Sequence, residues 1–225
     1  MFEIFRKKKS VSNKQNLMSP FDAYALDEIL RKFNRTDLTC LEIGSWYGSG
    51  STQIIAKYSE KLICVDHWKG NENDEMKRIT KSFDVYSEFL TNTSHLGNKI
   101  IPFRGMSDGI LKLLKNQTFD FIFIDGDHRY STTVGDITAC NKLIKNGGIL
   151  AGHDCEGKVT SENKEILHLN RENDHIDSLF IDFLHCHPGV ILAVDELLEE
   201  VNLYADQQLD LGDKVGYSTI WWAQF

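Results

Sequence analysis

The chain has 225 residues, a net charge of −8, and hydrophobic and charged fractions of 41% and 26%. That length suits one α/β domain, and the composition excludes wholesale disorder and collagen-like or low-complexity sequence. The acidic balance excludes a general nucleic-acid or anionic-membrane binder, because phosphate backbones demand a basic face; no apolar run reaches the roughly 18 residues of a membrane span.

Arg6 to Lys9 are basic, but Ser10 to Asn16 is polar, so the start does not read as a signal peptide. Residues 1–16 read as a flexible basic tail and 17–225 as a single domain. The five cysteines (Cys40, Cys64, Cys140, Cys155 and Cys186) are odd in number and contain no CxxC. Neither a disulfide framework nor a zinc site follows, and a reducing cytoplasm fits.

Along the chain, apolar strand-like runs alternate with helical patterns, the signature of a parallel sheet with crossover helices. Phe21 to Phe33 is a helix with Leu26, Ile29, Leu30 and Phe33 on one face. Thr39 to Ile43 is a strand, Ser49 to Tyr58 a helix and Leu62 to Asp66 a second strand. Asp74 to Leu90 reads as one long polar helix with Met76, Ile79, Phe83 and Phe89 inward. Ile100 to Arg104 is the third strand, followed by a helix through Ile110, Leu113 and Leu114. Phe119 to Ile124 is the strongest strand of the chain. A helix over 131–145 is expected to stop at Asn146-Gly147-Gly148, a helix-ending glycine signal. Ile149 to Gly152 is the fifth strand. The polar segment 155–187, with an apolar patch at Leu179 to Leu184, reads as a lid-like insertion over the strand ends. Val190 to Val201 is a helix. Leu203 to Leu209 and Val215 to Phe225 are two final strands placed to pair antiparallel.

Four segments carry chemistry. Leu41-Glu42-Ile43-Gly44-Ser45-Trp46-Tyr47-Gly48-Ser49-Gly50 takes a strand through an acid into a glycine-rich turn and a helix start. In an open α/β sheet, ligands bind at such strand ends, and glycine lets backbone approach them closely. The spacing is neither G-x-G-x-x-G nor a P-loop. Taken alone, the turn is equally a tight corner with no ligand. Asp66-His67-Trp68 puts an acid at the end of the second strand, where a carboxylate can accept both hydroxyls of a ribose. Asp125-Gly126-Asp127-His128-Arg129-Tyr130 and Gly152-His153-Asp154 gather acids and histidines at the ends of the fourth and fifth strands. If these strands are neighbours, Asp125, Asp127, His128, His153 and Asp154 share one mouth. Such crowding is costly unless the groups bind a metal or share protons.

These segments resemble class I S-adenosylmethionine-dependent methyltransferases, most closely the subgroup of macrocin-type sugar O-methyltransferases. His187-Pro188-Gly189-Val190, Ala193-Val194-Asp195-Glu196 and Thr219-Ile220-Trp221-Trp222 are also similar to that subgroup. The resemblance implies a Rossmann-like α/β fold: a seven-stranded, mostly parallel sheet with an antiparallel last strand and helices on both faces. It implies S-adenosylmethionine as cofactor, with Glu42, Gly44, Ser45, Gly48 and Ser49 at its methionine end. Asp66 would hold the ribose, with His67 and Trp68 nearby. Met106 and Ser107 would border the adenine, and Asp125 would complete the site. In metal-dependent relatives, Asp125 and the pair His153-Asp154 match the metal-ligand positions. Those relatives carry Asp-Asp or Asp-Asn where this chain has His153-Asp154, a departure that shifts the choice from Mg²⁺ toward Mn²⁺ or a metal-free site.

The implied reaction is direct methyl transfer to a hydroxyl of a sugar or small molecule. His128 and Asp127 are the candidate bases: His128 is the expected proton acceptor, with Asp127 a ligand or orienting group. His168, His175, His185 and His187 lie in the insertion, where they read as surface or lid residues. The expected partners are a small-molecule or glycan acceptor, with no nucleic acid, and a homodimer is permitted by the aromatic C-terminus. The alternatives are an NAD-dependent oxidoreductase, which lacks its fingerprint, and a non-catalytic S-adenosylmethionine-binding protein, which has no need of the acid-rich mouth.

Overall fold

The unbroken apolar runs of the sequence become strands buried on both faces. The computed structural model describes residues 18–70 and 74–225. The expected basic tail, residues 71–73 and the side chain of Met76 lie outside what is described. In chain order the elements are α1 (Pro20–Arg31), β1 (Leu38–Ile43), α2 (Ser51–Tyr58), β2 (Ser59–Asp66), α3 (Asp74–Ser82), α4 (Val85–Thr93), β3 (Ile100–Arg104) and α5 (Ser107–Leu113). There follow β4 (Phe119–Ile124), α6 (Tyr130–Cys140), β5 (Ile144–Gly152), α7 (Lys164–Leu169), β6 (Ile176–Asp177), β7 (His185–Cys186) and α8 (Pro188–Leu197). The chain closes with β8 (Asn202–Leu203), β9 (Leu209–Asp210), β10 (Val215–Gly216) and β11 (Trp221–Gln224).

Seven strands form one sheet in the order β3-β2-β1-β4-β5-β11-β8. The first five are parallel to their neighbours, and β11 is antiparallel to both β5 and β8. This is the expected mostly parallel sheet with an antiparallel last strand. Because successive side chains of a strand point to opposite faces, the sheet feeds two cores. Leu41, Ile43, Ile122, Ile124 and Leu150 face a layer that includes Ile137 of α6 and Val190 to Val194 of α8. Cys40, Phe121, Phe123 and Ala151 face Leu26, Ile29 and Leu30 of α1, Ile55 of α2 and Phe89 of α4. A sheet covered on both faces needs apolar residues at nearly every central position, and all six residues of β4 are buried.

Strand order reverses between β1 and β4, since β2 and β3 lie on one side of β1 and β4 on the other. That reversal opens a crevice at the carboxyl ends, where open α/β sheets bind their ligands. Gly44, at the end of β1, has φ +87°, and a Cβ there would lie 1.8 Å from the carbonyl oxygen of Asp125. The two strand ends approach this closely only because residue 44 has no side chain.

Several sequence expectations are corrected. The helix expected over 74–90 is two helices, because Asp84 caps a new start by accepting from the backbone N–H of Ser87. Phe83 therefore points outward, 47% exposed, while Phe89 is fully buried. Leu113 is exposed, and Leu111 takes its place in the core beside Leu114. Helix α6 stops at Cys140 rather than at the glycines, which lie inside β5. Phe119 pairs with Ile144 but Phe121 with Ile149, so the segment around Gly147 (φ +79°) is a bulge. In the insertion, Ile181 and Leu184 of the apolar patch are almost wholly exposed. The final strands are broken into β8, the antiparallel β9–β10 hairpin and β11. Of the C-terminal aromatics, Trp221 is buried at 1% exposure, the Trp222 ring has the Lys32 ammonium 4.9 Å from its centroid, and Phe225 is exposed.

A Cβ at Gly152 would come within 2.5 Å of the Trp221 ring, so this indole fills the space where β5 and β11 meet. Trp221→Ala is expected to cost about 3–5 kcal/mol, read as a lowered urea midpoint. A shift equivalent to under ~1 kcal/mol, the surface range, would contradict its place in the core.

Candidate active site

The carboxyl ends of the parallel strands surround a cavity of about 550 Å³. The β1 wall begins with a buried carboxylate that folds the turn. Glu42, with no exposed surface, accepts from Ser45 Oγ at 2.7 Å, Ser51 Oγ at 2.6 Å and Thr52 Oγ1 at 2.7 Å. Burial pushes its carboxyl above the ordinary value, while the three hydroxyls work the other way. One side chain thus ties the strand end to the start of α2 and holds the intervening loop in shape. Within that loop, Gly48 (φ +65°) packs so tightly that a Cβ would sit 2.8 Å from the Phe89 ring and from Thr93.

Asp66 closes the turn from β2. One of its oxygens accepts from the backbone N–H of Trp46 at 2.8 Å and the other from that of Trp68 at 2.6 Å. Burial raises its pKa; these backbone donors oppose the rise. A carboxylate offers about four lone-pair sites, so both oxygens retain capacity for another donor. Trp68 is buried against Tyr86 and Phe89, with ring centroids at 4.6 and 4.9 Å, and its indole N–H donates to the carbonyl of Trp46 at 2.7 Å.

The mouth at β4 and β5 is dense with charge. Arg129 donates from Nε to both oxygens of Asp127, at 3.0 and 2.9 Å, and its Nη2 also pairs with Asp127. Burial works to raise the Asp127 pKa, but the guanidinium overrides it and the carboxyl stays below its ordinary value. His128 lies between two carboxylates: Nε2 is 3.0 Å from Asp154 Oδ2 and Nδ1 is 2.9 Å from Asp174 Oδ1. His153 Nδ1 is 3.0 Å from Asp154 Oδ1 and 3.6 Å from Asp125 Oδ1, and its Nε2 is 3.3 Å from Asp22 Oδ2. Burial acts to lower the pKa of both imidazoles. The carboxylates of Asp154 and Asp174 around His128, and of Asp154 and Asp125 around His153, hold them well above the usual histidine value instead. Asp154 has φ +63°, the left-handed region that a non-glycine residue rarely adopts. Its N–H is held by Thr219 Oγ1 at 3.2 Å, and the next N–H by the Thr219 carbonyl at 3.0 Å. The C-terminal segment before β11 therefore sets where the Asp154 carboxylate points.

The cavity is lined by Gly44, Ser45, Gly48, Ser49, Asp66, His67, Met106, Ser107, Asp125, Asp127, His128, His153 and Asp154 from among the residues singled out in the sequence. Glu42 and Trp68 are not on its wall; they lie behind it and shape it. Four residues near the cavity carried no sequence signal strong enough to place them. Asp22 of α1 reaches His153 and also accepts the Thr219 N–H at 3.0 Å. Asp136 of α6 lines the cavity although only 3% exposed, and burial pushes its carboxyl up to about 6. Asp174 comes from the insertion. His187 also lines the cavity, 4.5 Å from the His128 ring between centroids, and its Nδ1 is 2.7 Å from the buried Glu156 carboxylate. The usable signal for His187 was Gly189: a Cβ there would lie 2.3 Å from the His128 carbonyl oxygen, so α8 can begin only against that loop. His168 is not among the lining residues, and the His175 and His185 rings pack against each other at a 57° tilt with centroids 4.9 Å apart.

Comparisons with known proteins bear on the family and the fold. Residues 41–155 match the family model Methyltransf_24, described as a methyltransferase domain. An uncharacterised protein of Acanthamoeba polyphaga mimivirus is 28% identical over 133 residues, covering 58% of each chain. The chain thus spans a little over half the length of that curated relative. Among solved structures, an O-methyltransferase from Bacillus cereus in complex with S-adenosylhomocysteine superposes with a TM-score of 0.55 at 18% identity, over 92% of this chain and 81% of that one. An O-methyltransferase from Streptomyces achromogenes involved in tomaymycin synthesis, in complex with S-adenosylmethionine, gives 0.54 at 16% identity, over 90% and 78%. The chain belongs to the methyltransferase-domain family and shares the fold of these O-methyltransferase structures. Among the described residues no helix is long and apolar enough to cross a membrane.

The charged mouth predicts how stability depends on pH. His128 and His153 bind protons more tightly folded than unfolded, so their contribution is complete below about pH 6.5 and is lost as pH rises through their raised values. Asp174, held down to about 2, contributes above its ordinary value of 3.8 and loses that contribution as pH falls toward 2. The melting temperature is expected to decline on both sides, and His153→Gln to flatten the alkaline side. An unchanged alkaline slope in that variant would contradict the assigned charge state.

Proposed function

We propose that the protein transfers a methyl group from S-adenosylmethionine to a hydroxyl of a sugar or other small molecule. The observation that carries this reading is the junction of two chemistries in one cavity. A glycine turn with a ribose-competent acid lies on one side, and a carboxylate–imidazole mouth suited to deprotonating a hydroxyl on the other. S-adenosylmethionine supplies, when bound, a methyl group already attached to a sulfonium leaving group. The residues present fit such a molecule. Gly44 brings backbone to the cavity wall at the switch point, Asp66 has lone pairs to spare, and Trp46, on the cavity wall, has a buried indole N–H with no hydrogen-bond partner. Gly44, Ser45, Gly48 and Ser49 would hold the amino-acid end, Asp66 with His67 the ribose, and Met106 with Ser107 the base.

The task left to the protein is to position the acceptor and take its proton. Both ring nitrogens of His128 already face carboxylates, which leaves that imidazole charged and without a free lone pair. Asp127 is ionised, lines the cavity and is held in one orientation by the Arg129 fork. We therefore assign proton acceptance to Asp127 and the support of Asp154 to His128. Asp125, His153 and Asp154 also fit a divalent cation. Two ligand atoms each about 2.1 Å from an ion stand about 3.0 Å apart at right angles and about 3.4 Å at the tetrahedral angle, against 3.0 and 3.6 Å here. Such an ion would lower the pKa of a bound hydroxyl, and its mixed oxygen and nitrogen donors favour Mn²⁺ over Mg²⁺.

The test is transfer of labelled methyl from S-adenosylmethionine to a panel of monosaccharides, nucleotide sugars and small alcohols or phenols. The reading expects an O-methyl product, with Asp127→Asn slower by about 10²–10⁴-fold at unchanged S-adenosylhomocysteine affinity. Labelling of nitrogen or sulfur acceptors alone would overturn the acceptor class. Full activity in Asp127→Asn would overturn the assignment of the base.

A further inference from the structure

The side of Asp154 turned away from Asp125 is also furnished with donors. We propose that His128, Asp154 and His187 form a second cation position, separate from Asp125–His153 and bridged to it by Asp154, that takes a borderline divalent transition ion such as Zn²⁺, Fe²⁺ or Co²⁺. One ligand atom from each of the three residues lies within 4.8 Å of the other two, and all three side chains are largely buried.

Asp154 is shared by both positions: Oδ1 is 3.0 Å from His153 Nδ1 and 3.8 Å from His187 Nδ1, and Oδ2 is 3.0 Å from His128 Nε2. Each 3.0 Å separation matches two ligands at right angles around one ion with bonds of about 2.1 Å.

The outer groups fit as well. A histidine ligand is ordinarily oriented by a carboxylate on its other ring nitrogen. His128 has Asp174 Oδ1 at 2.9 Å from Nδ1, leaving Nε2 directed at Asp154, where an ion would displace the proton that Nε2 otherwise shares with that carboxylate. His187 is held by Glu156, which is 3% exposed: Oε1 lies 2.7 Å from Nδ1, leaving Nε2 as the nitrogen for an ion, and Oε2 accepts the His187 backbone N–H at 3.0 Å. A buried glutamate spent wholly on fixing one imidazole has no evident purpose in a surface lid. The ligand set is two imidazoles and one carboxylate, whereas Mg²⁺ and Ca²⁺ prefer oxygen alone. The position depends on the insertion, which brings Asp174 and His187, so it would form only once that segment is seated.

The proposal rests on the reading of Asp125–His153–Asp154 only in sharing Asp154, and the two can fail separately. The test is calorimetric titration of the full chain with Co²⁺ alone, together with its visible absorption, on wild type, His187→Gln, His128→Gln and Asp125→Asn. Circular dichroism and melting temperature establish that each variant is folded. The expected result is two equivalents in wild type, one lost in either histidine variant and the other lost in Asp125→Asn. Asp174→Asn should weaken the histidine position by about 10- to 100-fold and leave the other unchanged. One equivalent that survives His187→Gln and His128→Gln but not Asp125→Asn would overturn the second position and leave the first. One equivalent lost in the histidine variants but kept in Asp125→Asn would uphold the second position and remove the first. A single equivalent lost in every variant, or no binding, would overturn the proposal.

Discussion

The chain reverses its strand order at the junction of β1 and β4, and everything functional follows from how closely those two ends meet. The backbone of Asp125 occupies the space that a side chain on residue 44 would need. Its N–H donates to the Ile43 carbonyl at 2.8 Å, and the Gly44 N–H donates to the Val65 carbonyl at 2.9 Å. This brings β2, β1 and β4 to a common rim. The glycine turn, the ribose-competent Asp66 and the acid cluster of β4 then face one cavity because they have nowhere else to point. Glu42 fixes the turn from behind, through three hydroxyls that would otherwise be buried without partners.

The second organising constraint is electrostatic. Carboxylates from α1, β4, the ends of β5 and the insertion converge on three imidazoles. A buried ion pair gains little net stability, and removing one partner is costly because the other charge is left unpaired. The mouth is therefore a structure in which Asp22, Asp125, Asp154 and Asp174 each depend on a histidine, and each histidine on more than one acid. The left-handed backbone of Asp154, of order 1–3 kcal/mol of strain in such residues, is retained by Thr219 and aims the carboxylate between His128 and His153. Strain kept at a site is consistent with preorganisation for charge that forms during reaction.

Much of this was legible in the sequence. The five parallel strands, the antiparallel close and the carboxyl-end location of the acids follow from hydrophobic runs and from where those runs stop. What was not legible depended on a local signal losing to a tertiary one. Asp84 interrupts a helical pattern because it can cap, and Phe83 is lost from the core as a result. Gly147-Gly148 looks like a helix stop but serves a bulge inside β5, since the preceding turn at Asn141 to Leu143 already ends the helix. Asp22 reads as an ordinary first-turn acid, and its capping box with Ser19 is real; only the fold shows that the same carboxylate reaches His153. Asp136 sits in a weakly amphipathic helix and gives no hint that it faces the cavity. His187 is separated from His128 by 59 positions, and only the glycine two residues later records the contact.

We propose that the crevice between β1 and β4 holds an adenosyl-sulfonium cofactor and not a dinucleotide. The most direct measurement is calorimetric titration of the full chain with S-adenosylhomocysteine, with NAD as the comparison and Asp66→Asn as the variant. The expected result is one equivalent of S-adenosylhomocysteine, no heat from NAD, and an affinity weakened at least tenfold in the variant. Binding of NAD in place of S-adenosylhomocysteine, or an affinity indifferent to Asp66, would contradict it.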